Sequence, residues 1–446
     1  MTANYLDMLT AELRRREKVS AWRIRTVDLE TRELFYIRRD LDMNRGKAVR
    51  RLLLTVYHDY FSEGREWRGA AEVRLHPSSD RREVSAAVER ALVAAALVRN
   101  SPHPLPMGGT AFKPAVRPSK GLGSGDLASW QDPVSRAVFA EDHLDGGGLN
   151  SCEIFLEREQ VRILNSEDVD VRFDRSRVLI ELIADWQVSG REEVELYREL
   201  RSDEVDEKVI RREVNELLRH TRDRAQAEPL SARDSRTAPA VLLGGEAVAE
   251  YFSYYLAQSA AENVYRGISS LEVGHSLTGR KQKKGLTVRL LPDLPGSSAS
   301  SPYDADGTPL QPVTLFEEGI LLRYWGPVRF CHYLGCEPTG RLPDIEVAAA
   351  AGSFSAAELR GVPHLEIVSF SDFQCDPLTG DFGGEIRLAY LGRGDERLPV
   401  TGGSISGNVL HVQEAMAVSS EQASHDNFRG PLLLSLEGVS VTPASG

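Results

Sequence analysis

The sequence predicts an α+β protein: an N-terminal α/β domain of antiparallel strands and long helices, then a C-terminal β-rich domain. The second domain is expected to be a sandwich or distorted barrel entered by a central helix. Three observations carry this. The first half mixes segments of period two with segments of helical period. After residue 285, short strand-like runs are punctuated by Gly and Pro. Between the two, Gly244-Gly245 ends the apolar run Val241-Leu242-Leu243 and opens a helix in which Val248, Phe252, Tyr255 and Leu256 recur at spacings of three and four. Residues 225–239 are polar and contain Pro229 and Pro239. They form the expected linker, which sets the domains at 1–224 and 240–446.

In chain order, Tyr5 to Lys18 has a helical stripe of Tyr5, Leu6, Leu9 and Leu13. Trp22–Leu29 and Glu33–Arg39 alternate with period two, and a hairpin is expected about Glu30-Thr31-Arg32. Arg51–His58 and Gly69–Leu75 read as strands. Val84–Val98 reads as an alanine-rich helix with Ser78, Ser79 and Asp80 as capping residues. Asn100 to Asp126 is a Pro/Gly/Ser-rich loop or arm. Its Gly121-Leu122-Gly123-Ser124-Gly125 follows no strand and lacks the third glycine of a dinucleotide loop. Ser151–Leu156 and Gln160–Leu164 suggest a second hairpin, and strands follow near Val169–Phe173 and Val178–Trp186. Arg191 to Thr221 has a helical stripe, Val194, Tyr197, Leu200, Val205, Val209, Val214 and Leu217. The central helix is expected to run to about Tyr265. Beyond it, strands are expected at Leu286–Leu291, Ile345–Ala350, His364–Phe370, Gly384–Leu391, Val400–Ser406 and Leu432–Val441. Residues Leu315–Leu321 should form a hairpin turning at Gly319.

With 446 residues the chain exceeds one ordinary core, and 41% apolar with 27% charged residues is the composition of a soluble globular protein. A net charge of −12 argues against nucleic-acid binding. The local run Arg280-Lys281-Gln282-Lys283-Lys284 is read as a solvated turn rather than an anion patch. No apolar run approaches the roughly 18 residues of a membrane span, and the N-terminus carries no signal-peptide pattern. Four cysteines make no disulfide framework, so a cytoplasmic protein is expected.

The chain contains no His-Glu-x-x-His. Cys331, His332 and Cys336 lack a further nearby ligand for a closed zinc site. His275-Ser276 misses the nucleophile-elbow spacing by one residue. Asp304 and Asp306 before Gly307 lack the glutamate of a calcium loop. Glu246 and Glu250, four apart, share a face of the helix's first turns. They are either solvated carboxylates favoured by the helix dipole or a site for a metal or acid–base work.

Several phrases, taken in order, resemble the C-terminal domain of the TldD/PmbA family, also called TldD/TldE, of zinc-dependent metallopeptidases. They are Gly245-Glu246-Ala247-Val248-Ala249-Glu250, Tyr303-Asp304-Ala305-Asp306-Gly307, Leu315-Phe316-Glu317-Glu318-Gly319, Asp376-Pro377-Leu378-Thr379-Gly380-Asp381-Phe382 and Ile405-Ser406-Gly407-Asn408-Val409-Leu410. The resemblance spans roughly Val241 to Val441. In TldD-type members the central helix carries His-Glu-x-x-x-His, with a cysteine near the C-terminus as a further zinc ligand. On this chain the first histidine falls on Gly245, the glutamate on Glu246 and the second histidine on Glu250. The tail Ser419–Gly430 holds His425 and no cysteine. Glu250 and His425 fall short of the three or four ligands zinc needs, so no metal is expected in this chain. The resemblance implies a TldE/PmbA-like, non-catalytic subunit of a heterodimer acting on peptides, in proteolysis or peptide maturation, with zinc on a TldD-type partner. The alternatives are a stand-alone enzyme using Glu246 and Glu250 with another metal or none, or a homodimeric binding or scaffold protein. Neither a nucleic-acid nor a membrane partner is expected.

Overall fold

The structure is a computed structural model that describes residues 3–109, 121–142, 146–237, 240–269, 271–277, 285–350, 353–393 and 396–444. The basic run at 280–284 lies outside them. The chain is mixed α+β, as expected. Helix α1 (Ala3–Arg15) leads into three long strands, β1 (Ala21–Ile37), β2 (Asp40–Ser62) and β3 (Arg65–Leu75). Helices α2 (Arg81–Ala95) and α3 (Gln131–Phe139) precede β4 (Gly147–Asn165), β5 (Asp170–Trp186) and β6 (Val194–Ser202), and α4 (Glu207–Gln226) follows. The six strands form one sheet in the order β3-β2-β1-β4-β5-β6, antiparallel throughout. Asp80 caps α2 and closes a capping box with Glu83. On one face, Trp22 and Ile24 pack with Leu9, Leu13, Val84 and Val88 of α1 and α2. Farther along the same face, Leu34 packs with Val134, Val138, Val214 and Leu217 of α3 and α4.

Two expected hairpins do not form. Glu30-Thr31-Arg32 runs straight through the middle of β1, and Glu157-Arg158-Glu159 through the middle of β4. The polar residues that read as turns sit side by side across the sheet. Glu30 lies opposite Arg158, and Arg158 opposite Ser176. Arg158 bonds Glu30 at 2.5 Å, and Arg175 bonds Glu159 at 2.5 Å. A charged waist crosses three strands, and each member is satisfied by its neighbour rather than by a turn. For the same reason β5 is one strand where two were expected.

The helix expected from Arg191 is also corrected. Residues Val194–Ser202 are strand β6, and the helix starts at Glu207 behind the cap Asp206. Val194, Leu196 and Leu200 fit period two as well as a helical stripe. Pairing with Trp186, Ala184 and Ile180 of the apolar β5 decides for strand.

Part of the expected linker is structured. It contains β7 (Glu228–Pro229) and α5 (Ala232–Thr237), and Leu230 is buried. Then come β8 (Ala240–Gly244), α6 (Glu246–Ser259), α7 (Ala261–Tyr265) and β9 (Thr287–Leu291). A hairpin of β10 (Val313–Glu317) and β11 (Ile320–Leu321) turns at Glu318-Gly319, with φ of 47° and 80°. Next are α8 (Val328–Leu334), β12 (Asp344–Ala348), α9 (Ala356–Arg360), β13 (His364–Cys375) and β14 (Asp381–Arg393). The strand expected over Val400–Ser406 is two, β15 (Glu396–Thr401) and β16 (Ser404–Asn408), hinged at Gly402-Gly403. After α10 (Val409–Val412) the chain ends in β17 (Ala417–Val418), β18 (Gln422–His425), β19 (Phe428–Pro431), β20 (Leu433–Leu436) and β21 (Ser440–Thr442). One sheet runs β11-β10-β9-β12-β19-β18. The other runs β17-β20-β8-β13-β14-β15-β7, with β16 paired to β14 and β21.

Helix α6 packs against both sheets. Tyr251 meets Phe382 of β14 at 5.9 Å between ring centroids; Phe252 stacks on Phe428 of β19 at 6.2 Å. Tyr255 approaches Phe316 of β10 at 6.5 Å. The helix stops at Ser259, short of Tyr265. Ala260 is extended, and Trp325 claims the Leu256 carbonyl through its Nε1 at 2.8 Å. No described helix is long and apolar enough to cross a membrane.

Phe252→Ala should lower the unfolding free energy by about 3–5 kcal/mol in denaturant titration. Val93→Ala, at a site 61% exposed, should change it by less than about 0.5 kcal/mol.

Candidate functional site

Strand β8 lies between β20 and β13 and delivers the chain to α6 through Gly244-Gly245. Gly245 has φ 62° and ψ −139°, a conformation that L side chains rarely adopt. A Cβ placed there would stand 3.8 Å from Cε1 and 3.9 Å from Nε2 of His425, an ordinary contact. Space is therefore available beside the tail histidine, and the backbone itself is what selects glycine. The position on which the resemblance sets a first histidine and His425 are neighbours in space, though 180 residues separate them in sequence.

The two carboxylates of α6 have different surroundings. Glu250 Oε1 accepts the backbone N–H of Cys375 at 3.3 Å, which ties the helix to the end of β13. Burial pushes the Cys375 thiol up to about 12, with the charge of Glu250 adding to the effect. Glu246 reaches solvent, yet the protein crowded around it strips part of its hydration and lifts its carboxyl above the usual value. Glu199 and Asp426 push the same way, while Arg198 and Arg201 oppose them. Burial lowers the imidazole of His425, leaving it neutral at pH 7.

All of these neighbours but Asp426 come from the other half of the chain, as do Glu213 and Glu216, whose charges act on His425. Arg198, Glu199 and Arg201 lie on β6, and Glu213 and Glu216 on α4. Arg198 bonds Glu213 at 3.1 Å and the Nδ1 of His220 at 3.2 Å. The first turn of α6 therefore faces a charged seam between the two halves. Sequence reasoning placed Arg198, Glu199 and Arg201 on a helix and missed their role; no local signal marks them, because their partners are distant in the chain.

The turn joining β18 to β19 carries His425 and Asp426. It is anchored by Asp426 Oδ1, which accepts the N–H of Ser298 at 2.8 Å. Nearby, the fully buried Asp344 accepts hydroxyls from Ser297 at 2.6 Å and Ser300 at 2.8 Å. Burial pushes its carboxyl up to about 6 against those two hydroxyls, and Asp426 contributes a further rise.

The other candidates have structural occupations. Asp304 accepts the N–H groups of Asp306 and Thr308, both at 2.9 Å, and that of Arg341 at 3.2 Å. Asp306 pairs with Arg23 and Tyr303 meets Phe173, so this turn docks the C-terminal half on the first sheet. Cys331 is a buried free thiol bonded to the Gly326 carbonyl, and Cys336 is half-buried. Ser276 sits in an isolated bridge to Ile320, without the strand–turn–helix of an elbow. Among the described residues, no group of three or more His, Cys, Asp or Glu is placed to hold a metal. What Glu246 and His425 can offer is a readily protonated carboxylate and a neutral imidazole, which suit proton transfer or hydrogen bonding.

Residues 236–443 match the family model described as the PmbA/TldA metallopeptidase C-terminal domain. No curated protein matches the chain. Solved structures share its fold end to end, three of them at 14–17% identity. TldE from Thermococcus kodakarensis superposes with a TM-score of 0.75 at 17% identity, covering 99% of this chain and 100% of its own. A candidate modulator of a DNA gyrase from Thermotoga maritima gives 0.77 at 16%, covering 99% of each chain. Another, from Bacteroides thetaiotaomicron, gives 0.76 at 14%, again covering 99% of each.

Gly245→Ala should cost about 1–3 kcal/mol of stability in denaturant titration, since its neighbours leave room and only the backbone objects. Asp344 supplies a pH signature. Its folded pKa of about 6 exceeds the unfolded value of about 4, so its contribution is fully present below pH 4 and falls as pH rises through 6. The stability of the natural protein relative to Asp344→Asn should therefore decline between pH 4 and 6, by on the order of 2–3 kcal/mol, and stay level above pH 7.

Proposed function

We propose that this chain, whose residues 236–443 match the model of the PmbA/TldA metallopeptidase C-terminal domain, is a TldE-like subunit that carries no zinc and does not itself cleave peptides. It joins a TldD-type chain whose zinc performs the hydrolysis, in proteolysis or peptide maturation. The observation that carries this reading is Gly245. At the place where the resemblance sets a metal-binding histidine stands a residue with no donor, in a backbone conformation hostile to any side chain. Glu250, at the second such place, is engaged by the Cys375 amide. The end-to-end likeness to TldE supports the same reading at the level of fold. Zinc bound by three or four side chains has no such set among the described residues.

Glu246 favours a second reading, a stand-alone enzyme using a carboxylate of raised pKa with another metal or none. In the proposed reading Glu246 shapes the seam between the halves and no proton passes through it. One substitution separates the two. With a TldD-type chain present, Glu246→Gln should leave peptide cleavage within about threefold of the natural value; a loss of about 100-fold or more would favour the second reading. Mixing the two chains at about micromolar concentration should give one species with the summed mass in light scattering. Separate elution of both chains would count against the proposal.

A further inference from the structure

Four arginines of the first sheet share one face. Arg23 and Arg25 lie two apart on β1, Arg175 and Arg177 two apart on β5, and the strand register sets all four on the side that carries Val27, Val161 and Phe173. The C-terminal half docks on that side through Tyr303 and Asp306. These cations outnumber the carboxylates that reach them. Glu159 pairs with Arg175 at 2.5 Å and approaches Arg177 at 3.8 Å. Asp306 and Glu72, the latter at 3.7 Å, serve Arg23. Arg25 is half-buried, yet among the described residues it makes no ion pair and no hydrogen bond. Its Nε and that of Arg175 are buried N–H donors without an acceptor. Burial holds both guanidiniums below the ordinary arginine value, although the charge of Glu159 acts the other way on each. Arg25 also feels Arg23 and Arg177, and Arg175 feels Arg25 and Arg177. Arginine does not give up its proton at neutral pH, so the unpaired charge is costly until an anion meets it.

We infer that Arg25, Arg175 and Arg177 hold a small oxyanion, a carboxylate or a phosphate, at the junction of the two halves. A guanidinium presents paired N–H groups in a planar fork that matches either group, and the docked C-terminal half lowers the local dielectric and strengthens the attraction. Arg23 is already served by Asp306, so the other three carry the site. Arg175 and Phe173 border a cavity of about 1200 Å³ beside the loop Asp293–Pro302, which gives a ligand its way in. Arg177 marks the same wall, since its Nε donates to the carbonyl of Ser298 in that loop at 3.4 Å. Of the acidic residues on the lining, Asp28 pairs with Arg50 and Glu30 with Arg158. The lining also carries Asp174, Asp203, Glu204 and Asp293, an acidic field that turns away polyanions and limits the ligand to one small anionic group against the arginines. The inference does not rest on the function proposed above.

Thermal melts of the full chain at fixed ionic strength test this with two probes, inorganic phosphate and N-acetylglycine, against chloride and the neutral N-acetylglycinamide. At least one oxyanion should raise the melting temperature with a half-effect at about millimolar concentration, and the more potent of the two names the ligand's anionic group. Chloride and the amide should not. Arg25→Gln should keep its circular dichroism and melt no lower than the natural chain in chloride, because an unpaired charge is gone. It should need about tenfold more oxyanion for the same shift. Arg177→Gln, at a more exposed position, should show the same loss and serves if Arg25→Gln does not fold. Arg82→Gln, exposed on α2, should respond as the natural chain does, so that any general salting effect of phosphate cancels in the comparison. The lack of an oxyanion-specific shift in the natural chain would overturn the inference. So would equal shifts in the natural chain and in the folded variants of Arg25 and Arg177.

Discussion

The C-terminal half is organised by the burial of helix α6 between two sheets. Tyr251, Phe252 and Tyr255 are almost wholly buried, and their rings reach Phe382 on one sheet and Phe428 and Phe316 on the other. A helix held on both sides cannot rotate to improve the geometry at its first turn. Its entry is fixed by β8, which is hydrogen-bonded between β20 and β13, so the chain must reverse within Gly244-Gly245. The positive φ of Gly245 follows from that confinement. The core thereby determines what the site can contain: a close approach to His425 and no side chain with which to use it.

The second consequence concerns the two halves. Because α6 is immobilised, its exposed N-terminal turn meets β6 and α4 at a constant place, and the charges there are balanced by pairing rather than by solvent alone. Arg198 serves Glu213 and His220 and Asp426 accepts the Ser298 N–H, while elsewhere between the halves Asp306 pairs with Arg23. Phrases that look like ligand loops in the sequence, such as Asp304-Ala305-Asp306-Gly307, are turns whose carboxylates are consumed by backbone amides and by the opposite half. Their acidic side chains have conformational work.

Much of the fold was legible. Short-range information was enough for α2, whose cap and capping box are contiguous, for the β10–β11 hairpin with its Glu318-Gly319 turn, and for α6. The errors share a cause. Glu30-Thr31-Arg32 and Glu157-Arg158-Glu159 look like turns because, taken locally, a charged triplet interrupting an apolar alternation has no reason to stay extended. The reason lies across the sheet, in the Glu30–Arg158 and Glu159–Arg175 pairs, which no window of neighbouring residues contains. Likewise β6 fits two periods, and its pairing with β5 chose between them. At the candidate site, the resemblance singled out Gly245, Glu246 and Glu250, with His425 in the tail, but not that Gly245 lies beside His425, nor that Glu250 is tied to Cys375. Arg198, Glu199 and Asp344 carried no sequence signal, since their importance arises from burial and from partners far along the chain.

The central claim is that this polypeptide lacks the donors to hold a catalytic cation. Its most direct test is the metal content of the purified full chain, saturated with zinc, desalted and assayed by mass spectrometry alongside its peptide-cleaving activity. The account predicts far less than one equivalent of zinc and no cleavage by the chain alone. One tightly held equivalent, with cleavage that disappears on chelation, would contradict it.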